Sequence, residues 1–199
     1  MRVVLNVAKG SWYHLGQKRL LDSIPDETTM LWTQQFPPGP THEGVPYGFK
    51  VSAFYEAVEM GFQQAIWLDS SCVVCKPLPW KQIERDGYYL GLEGWTIGQW
   101  CNDACRELLA ITDEELELPL MEGKIIGLDL TNDLAMAWLK EWKRAADIGA
   151  FNGSWENHRH DITCGAVIAH RLGMNLTEHP VTIGTSNPHP ESYVLAAGM

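Results

Sequence analysis

The sequence predicts an α/β protein built on an open, mostly parallel sheet flanked by helices. Three early apolar runs, residues 2–8, 28–33 and 65–68, are each followed by a helix-forming stretch, the order that marks βαβ units. The third run, Ala65-Ile66-Trp67-Leu68, is apolar at every position, as suits a central parallel strand covered on both faces. Strand and helix patterns go on alternating to Gly173, with no repeat, heptad array or low-complexity segment.

In chain order, Arg2 to Ala8 is a buried strand that runs into Lys9-Gly10-Ser11. A short helix carrying Leu20, Leu21 and Ile24 stops at Pro25. Thr28 to Thr33 is the second strand. The breaker-rich segment from Phe36 to Pro46 reads as a surface or lid loop. Val51, Phe54, Tyr55, Val58 and Phe62 recur at helical spacing, with Gly61 as a stop. After the third strand comes a helix around Lys81 to Arg85, closed by Asp86-Gly87. A strand at Tyr88 to Leu92, a helix at Asp103 to Ala110 and a strand at Lys124 to Leu130 follow. The strongest helix spans Asn132 to Ala146, with Ala135, Trp138, Leu139, Trp142 and Ala145 on one face. A last helix starts at Asp161, which suits an N-cap, and ends at Gly173. The tail from Thr177 shows no periodicity.

A chain of 199 residues reads as one domain with a full core. Its 45% apolar and 20% charged composition excludes global disorder. With 25 acids against 15 bases, the net charge of −10 argues against nucleic acid as a partner. No apolar run approaches the length of a membrane span, and residues 3–8 read poorly as a signal peptide. Five cysteines rule out a complete disulfide framework within one chain, so a reducing cytoplasm is the expected compartment.

In open α/β sheets, ligands bind beyond the carboxyl ends of the strands. That rule singles out Lys9 to Tyr13, Gln34-Gln35 and Asp69-Ser70-Ser71. A carboxylate directly after Ile-Trp-Leu is carried out of the core onto the ligand face, where it can hold a cation or hydroxyl. Strand-end aspartates also cap turns. The run His158-Arg159-His160-Asp161 offers two imidazoles, a guanidinium and a carboxylate in four residues, enough for a general base and an anion anchor.

The segment Lys50 to Leu78 (KVSAFYEAVEMGFQQAIWLDSSCVVCKPL) resembles the core of GT-A fold glycosyltransferases, in which a hydrophobic strand ends in an Asp-x-Asp motif. Arg2 to Ser23, Gly123 to Trp142 and Asn157 to Gly173 are similar to other parts of that fold, so the resemblance covers about residues 1 to 180. It implies a GT-A-like domain with a nucleotide-sugar-binding half at 1–100, an acceptor-side half at 101–180 and an irregular tail at 181–199. It also implies transfer of a sugar from a nucleotide-diphosphate donor to a hydroxyl on a glycan or small molecule.

On that resemblance Asp69 coordinates a divalent cation, Mn or Mg, that bridges the donor diphosphate, with Ser71 beside it. Lys50 assists at the phosphates, while Lys9 and Tyr13 hold the base or ribose. Asp161 and His160 serve catalysis; His158, Arg159, Glu93 and Trp95 serve the acceptor. The sequence departs from the family pattern at Asp69-Ser70-Ser71, which lacks the second carboxylate, and at Ile162, where Gln is usual. A catalytically degenerate binding domain is therefore the alternative, and a nucleotidyltransferase a more distant one. The small size leaves room for an oligomer or accessory subunit to complete the acceptor site.

Cys72-x2-Cys75 and Cys101-x3-Cys105 could together hold zinc, but Val73-Val74 do not form a knuckle, and buried free cysteines are the better reading. Trp95, Trp100 and Trp155 lie among Gly, Asn and Ser and suit stacking on sugar rings as well as local packing. His179 and His189 lie where some GT-A enzymes place a metal-binding histidine, though no matching motif surrounds them.

Overall fold

The computed structural model describes residues 1–178, 182–183 and 192–196; His179 and His189 lie outside them. Its main sheet has the order β2 (Thr29–Thr33), β1 (Arg2–Ala8), β3 (Gln64–Leu68), β6 (Pro119–Asp129), β5 (Tyr88–Thr96). β1 pairs in parallel with β2 and β3, whereas β6 runs antiparallel to both β3 and β5. Only β6 opposes the common direction, so the sheet is mostly parallel, as expected. A small second sheet joins β4 (Cys72–Val74) to β8 (Val194–Ala196) and β7 (Thr182–Ile183), so the tail without periodicity still supplies strands.

Side chains alternate across β1. Val3, Leu5 and Val7 enter one core, together with α2 (Gly48–Glu59), α6 (Asp133–Asp147) and α7 (His160–Arg171). Val4 enters the other, with Leu20 of α1 (Tyr13–Asp22) and Ile83 of α3 (Trp80–Asp86). Both faces are thus covered, which is why the central strands are mostly apolar. α6 begins as expected, with Asn132 Oδ1 accepting from the amides of Leu134 and Ala135 at 3.0 and 3.1 Å.

Three local features differ from the sequence reading. The strand expected at Lys124 is the second half of an eleven-residue β6. A capped turn of helix, α5 (Asp113–Leu116), follows α4 (Asp103–Leu108). Asp161 does not cap α7: the helix begins at His160, Arg159 takes the cap position without a side-chain bond, and Asp161 turns inward. His160 itself sits at φ 43°, a left-handed conformation uncommon outside glycine.

The polar residue in β1 has a structural purpose. Asn6 is fully buried; its amide donates to Leu68 O at 2.6 Å, its Oδ1 accepts from Gln17 Nε2, and Ser70 Oγ lies 3.2 Å from that oxygen. It ties the end of β1 to the turn that follows β3. Gly16 seals the other side, since a Cβ there would lie 2.3 Å from Ser70 O. The turn that carries Asp69 is therefore held from beneath.

Candidate functional site

A cleft of about 460 Å³ opens beyond the ends of β1 and β3. Lys9, Gly10, Tyr13, Asp69, Ser70 and Ser71 line its base, and the Pro-rich loop closes it with Phe36, His42, Glu43 and Tyr47. Four residues expected to bind a donor, Lys9, Tyr13, Asp69 and Ser71, thus meet in one cavity, and the loop reads correctly as a cover. A second hollow, between residues 23–27 and 74–78, contains none of these groups.

Asp69 projects from the end of β3 with its side chain 30% exposed. Its Oδ1 accepts from Trp67 Nε1 at 2.7 Å, so the indole of the preceding strand aims the carboxylate. The Ser70 hydroxyl is spent on the backbone, donating to Val7 O at 2.8 Å.

Lys50 lies a layer deeper than expected. Its ammonium, 3% exposed, donates to Gly123 O at 2.9 Å and stands 3.0 Å from Asp161 Oδ2 and 3.5 Å from Asp69 Oδ1. Burial opposes this charge, but Asp161 and Asp69 together hold the ammonium above its usual range. Burial likewise pushes the Asp161 carboxyl up, against the pull of Lys50. Asp161 Oδ2 has no hydrogen-bond partner, so the ion pair is its compensation. Closed to solvent here, Asp161 positions Lys50, and Lys50 in turn touches the cleft through Asp69. Ile162 is a packing residue: a Cβ on Gly123 would come within 2.4 Å of its Cγ2.

On the far side of Asp161, aromatic groups form a continuous wall. His160 lies 5.5 Å from Tyr47 and stacks on Trp155 at 5.9 Å. The Arg159 guanidinium sits between Trp155 and Trp100, 3.9 and 3.5 Å from their ring centres, and Trp100 meets Trp95 edge-on at 5.4 Å. Trp95 and Trp155 face solvent. His160 Nδ1 lies 2.8 Å from Phe151 O; donation there leaves Nε2 as the unprotonated nitrogen of a neutral ring. Burial holds that imidazole below its ordinary pKa and, with Asp161, pushes the Tyr47 phenol up to about 12.

His158 does not join this wall. It is fully buried, with its ring nitrogens at the carbonyls of Trp100 and Ala150, so an acceptor contact is closed to it. The sequence reading also missed Tyr47, held at φ 60° before α2, and the acid network behind Asp69. Glu122 Oε1 is 3.0 Å from Lys124 Nζ, and Glu93 faces Glu122. Burial and Glu122 raise the Glu93 carboxyl from 4.5 to about 8. A raised carboxyl favours the protonated fold, so its stabilisation is complete below about pH 4.5 and is lost as pH rises through about 8. Urea midpoints measured at pH 6 and pH 9 should therefore converge in Glu93→Gln relative to wild type. An unchanged alkaline loss in the variant would remove Glu93 as its source.

Among the described residues, no helix is long and apolar enough to cross a membrane. Cys72 is buried in one core, Cys105 lies in the other, and Cys75 is exposed, so the thiols of the two sequence motifs do not converge.

This architecture is the GT-A glycosyltransferase fold. The chain is similar to the solved structure of a glycosyltransferase involved in the glycosylation of the major capsid of PBCV-1, at a TM-score of 0.55 and 13% identity, covering 92% of this chain and 85% of that one. It is also similar to mouse xyloside xylosyltransferase 1 in its apo form, at a TM-score of 0.52 and 10% identity, covering 99% and 98%. A third likeness is to the WbbM bifunctional glycosyltransferase, at 0.51 and 10%, covering 90% of this chain and 38% of that one. At these identities the likeness is one of fold. No protein-family model and no curated protein matches the chain.

Proposed function

We propose that the chain is a glycosyltransferase that moves a sugar from a nucleotide-diphosphate donor to a hydroxyl acceptor, on a glycan or small molecule. The observation that carries this reading is the convergence of Lys9, Tyr13, Asp69 and Ser71 in one cleft beside an aromatic wall. Residues 1–100 supply the donor side and 101–180 most of the acceptor side. Lys9, 4.6 Å from the Phe36 ring centre, and Tyr13 form the nucleoside end.

The donor set fits a hard cation that arrives with its diphosphate. One exposed carboxylate and a neighbouring hydroxyl are enough, because Mg²⁺-type ions commonly take one or two carboxylates and fill the rest with phosphate oxygens and water. Asp69, with Ser71, would hold the ion, which would supply charge neutralisation to the leaving diphosphate. The remaining work falls to side chains. Lys50, fixed by Asp161, offsets the charge of Asp69 from below. Trp95 and Trp155 present apolar surface to an acceptor ring; Arg159 stiffens Trp155 directly and Trp95 through Trp100. His160, buried in this wall at 4% exposure with Nε2 unprotonated, is the base assigned to the acceptor hydroxyl. Free thiols at all five cysteines suit a cytoplasmic setting.

The missing second carboxylate favours a second reading, a domain that binds nucleotide sugar without turnover. A calorimetric and thermal-shift panel of nucleoside diphosphates and nucleotide sugars, with and without Mn²⁺, tests both. Stabilisation that needs the cation, followed by release of nucleoside diphosphate and a glycosylated product, is the expected result. Binding without product selects the second reading. No stabilisation by any nucleotide would sink both.

A further inference from the structure

Two local rules fail at Tyr47. It holds the cap position of α2, where Ser, Thr, Asp or Asn is usual, and its side chain makes no cap bond. Its φ of 60° is the left-handed conformation that favours glycine or asparagine. A tyrosine answers neither requirement, and backbone strain of this kind gathers where a side chain is needed for function. His42 helps to hold the conformation: its Nδ1 accepts from the Tyr47 amide at 3.2 Å, and its ring meets Tyr47 edge-on at 4.8 Å.

The side chain so held stands where the two halves of the site meet. Tyr47 lines the cleft together with Tyr13 and Asp69. Its ring also joins the aromatic wall, 6.0 Å from Trp155 and 5.5 Å from His160, with the Lys50 ammonium 5.1 Å from its centre. Phe36 and Phe49, in the same cleft lining, stack on each other at 5.1 Å. Packing accounts for the Tyr47 ring but not for its hydroxyl, which has no hydrogen-bond partner among the described residues. Burial, and then Asp161, push the phenol up to about 12, so it stays an O–H donor at neutral pH. A donor set among carboxylates suits a neutral ligand oxygen better than a bare phosphate. A sugar hydroxyl donates and accepts at once, so it can accept from the phenol and give its own proton to a carboxylate such as Asp69.

We propose that Tyr47 holds the transferred sugar of the donor: its phenol donates a hydrogen bond to a hydroxyl of that sugar, at the boundary between cleft and wall. This rests on the glycosyltransferase reading and adds to it the residue that senses the sugar instead of the nucleotide. A sugar that leaves a diphosphate at Asp69 for an acceptor at the wall has to lie beside Tyr47.

Tyr47→Phe keeps the ring and removes only the hydroxyl, so the melting temperature without ligand should stay within about 2 °C of wild type. Calorimetric titrations with Mn²⁺ should then compare UDP and GDP with UDP-glucose, UDP-galactose, UDP-N-acetylglucosamine and GDP-mannose. The variant should bind the nucleoside diphosphate as wild type does, which also certifies that its cleft is intact. It should bind the nucleotide sugar about three- to tenfold more weakly, the worth of one neutral hydrogen bond. Equal affinities of variant and wild type for every nucleotide sugar would overturn the inference and leave the glycosyltransferase reading standing. So would an equal loss for diphosphate and nucleotide sugar, which makes Tyr47 a packing or nucleotide contact. Wild type that binds none of these compounds overturns the inference together with the reading beneath it.

Discussion

Lys50→Met should destabilise the fold by about 3–5 kcal/mol at neutral pH, because it strands the Asp161 carboxylate in the core. For a domain of this size that is a fall in melting temperature of about 6–20 °C. The ammonium is the partner of Asp161 Oδ2, at 3.0 Å, and also holds Gly123 O on β6. Its removal leaves a buried charged oxygen with no side-chain cation beside it. The loss should shrink toward pH 4. Burial raises the Asp161 carboxyl even with Lys50 present, and without the cation the group becomes neutral more readily. A group whose folded pKa is raised costs stability as pH rises through it, so the deficit is an alkaline one.

A double-mutant cycle separates the pair from simple packing. Asp161→Asn alone leaves Lys50 with Asp69 at 3.5 Å and with Gly123 O, so it should cost less than Lys50→Met. In the double variant no buried charge is stranded, and part of the loss should return. Additive losses that do not vary with pH would mean that Lys50 acts through its methylenes. Guanidinium melts of the four proteins at pH 4.5 and pH 7.5 decide it.

The depth of Lys50 shows where sequence reading stops. Its position early in a helix was legible, and so was the carboxylate at the end of Ile-Trp-Leu, because strand ends in this architecture open onto ligands. Lys9, Tyr13, Asp69 and Ser71 could be gathered on that rule alone. Whether Lys50 reaches solvent or a core carboxylate depends on how α2 meets α7 across β6, contacts that span 111 residues between Lys50 and Asp161. His158 and His160 make the same point: two residues apart and both buried, one is held between two backbone carbonyls while the other packs in the aromatic wall. Asn6, a polar residue within an apolar strand, is explained only by partners distant in sequence, Gln17, Leu68 and Ser70. The first half of β6 was hidden by Glu122, whose charge argues for solvent and whose burial depends on Lys124.

Asp69→Asn should separate recognition from stability. The side chain is partly exposed, and an amide oxygen can still accept from Trp67 Nε1, so the fold should lose no more than about 1 kcal/mol. Affinity for a nucleoside diphosphate with Mn²⁺ should fall ten- to hundredfold, about the 1.5–3 kcal/mol carried by one interaction with a charged group. The Asp69-Ser70-Ser71 turn carries a single carboxylate. Where two acids share an ion, loss of one leaves the other; here Ser71 offers only a neutral oxygen, so the cation's contribution should vanish altogether. Calorimetric titrations with Mn²⁺ and with a chelator should differ for wild type and coincide for the variant. Titrations that still differ in the variant would place the cation on other groups of the cleft, with Glu43 of the covering loop the first to substitute. Titrations that already coincide in wild type would instead assign the diphosphate to Lys9 and the fixed charges beneath it, and the cation would drop out of the mechanism.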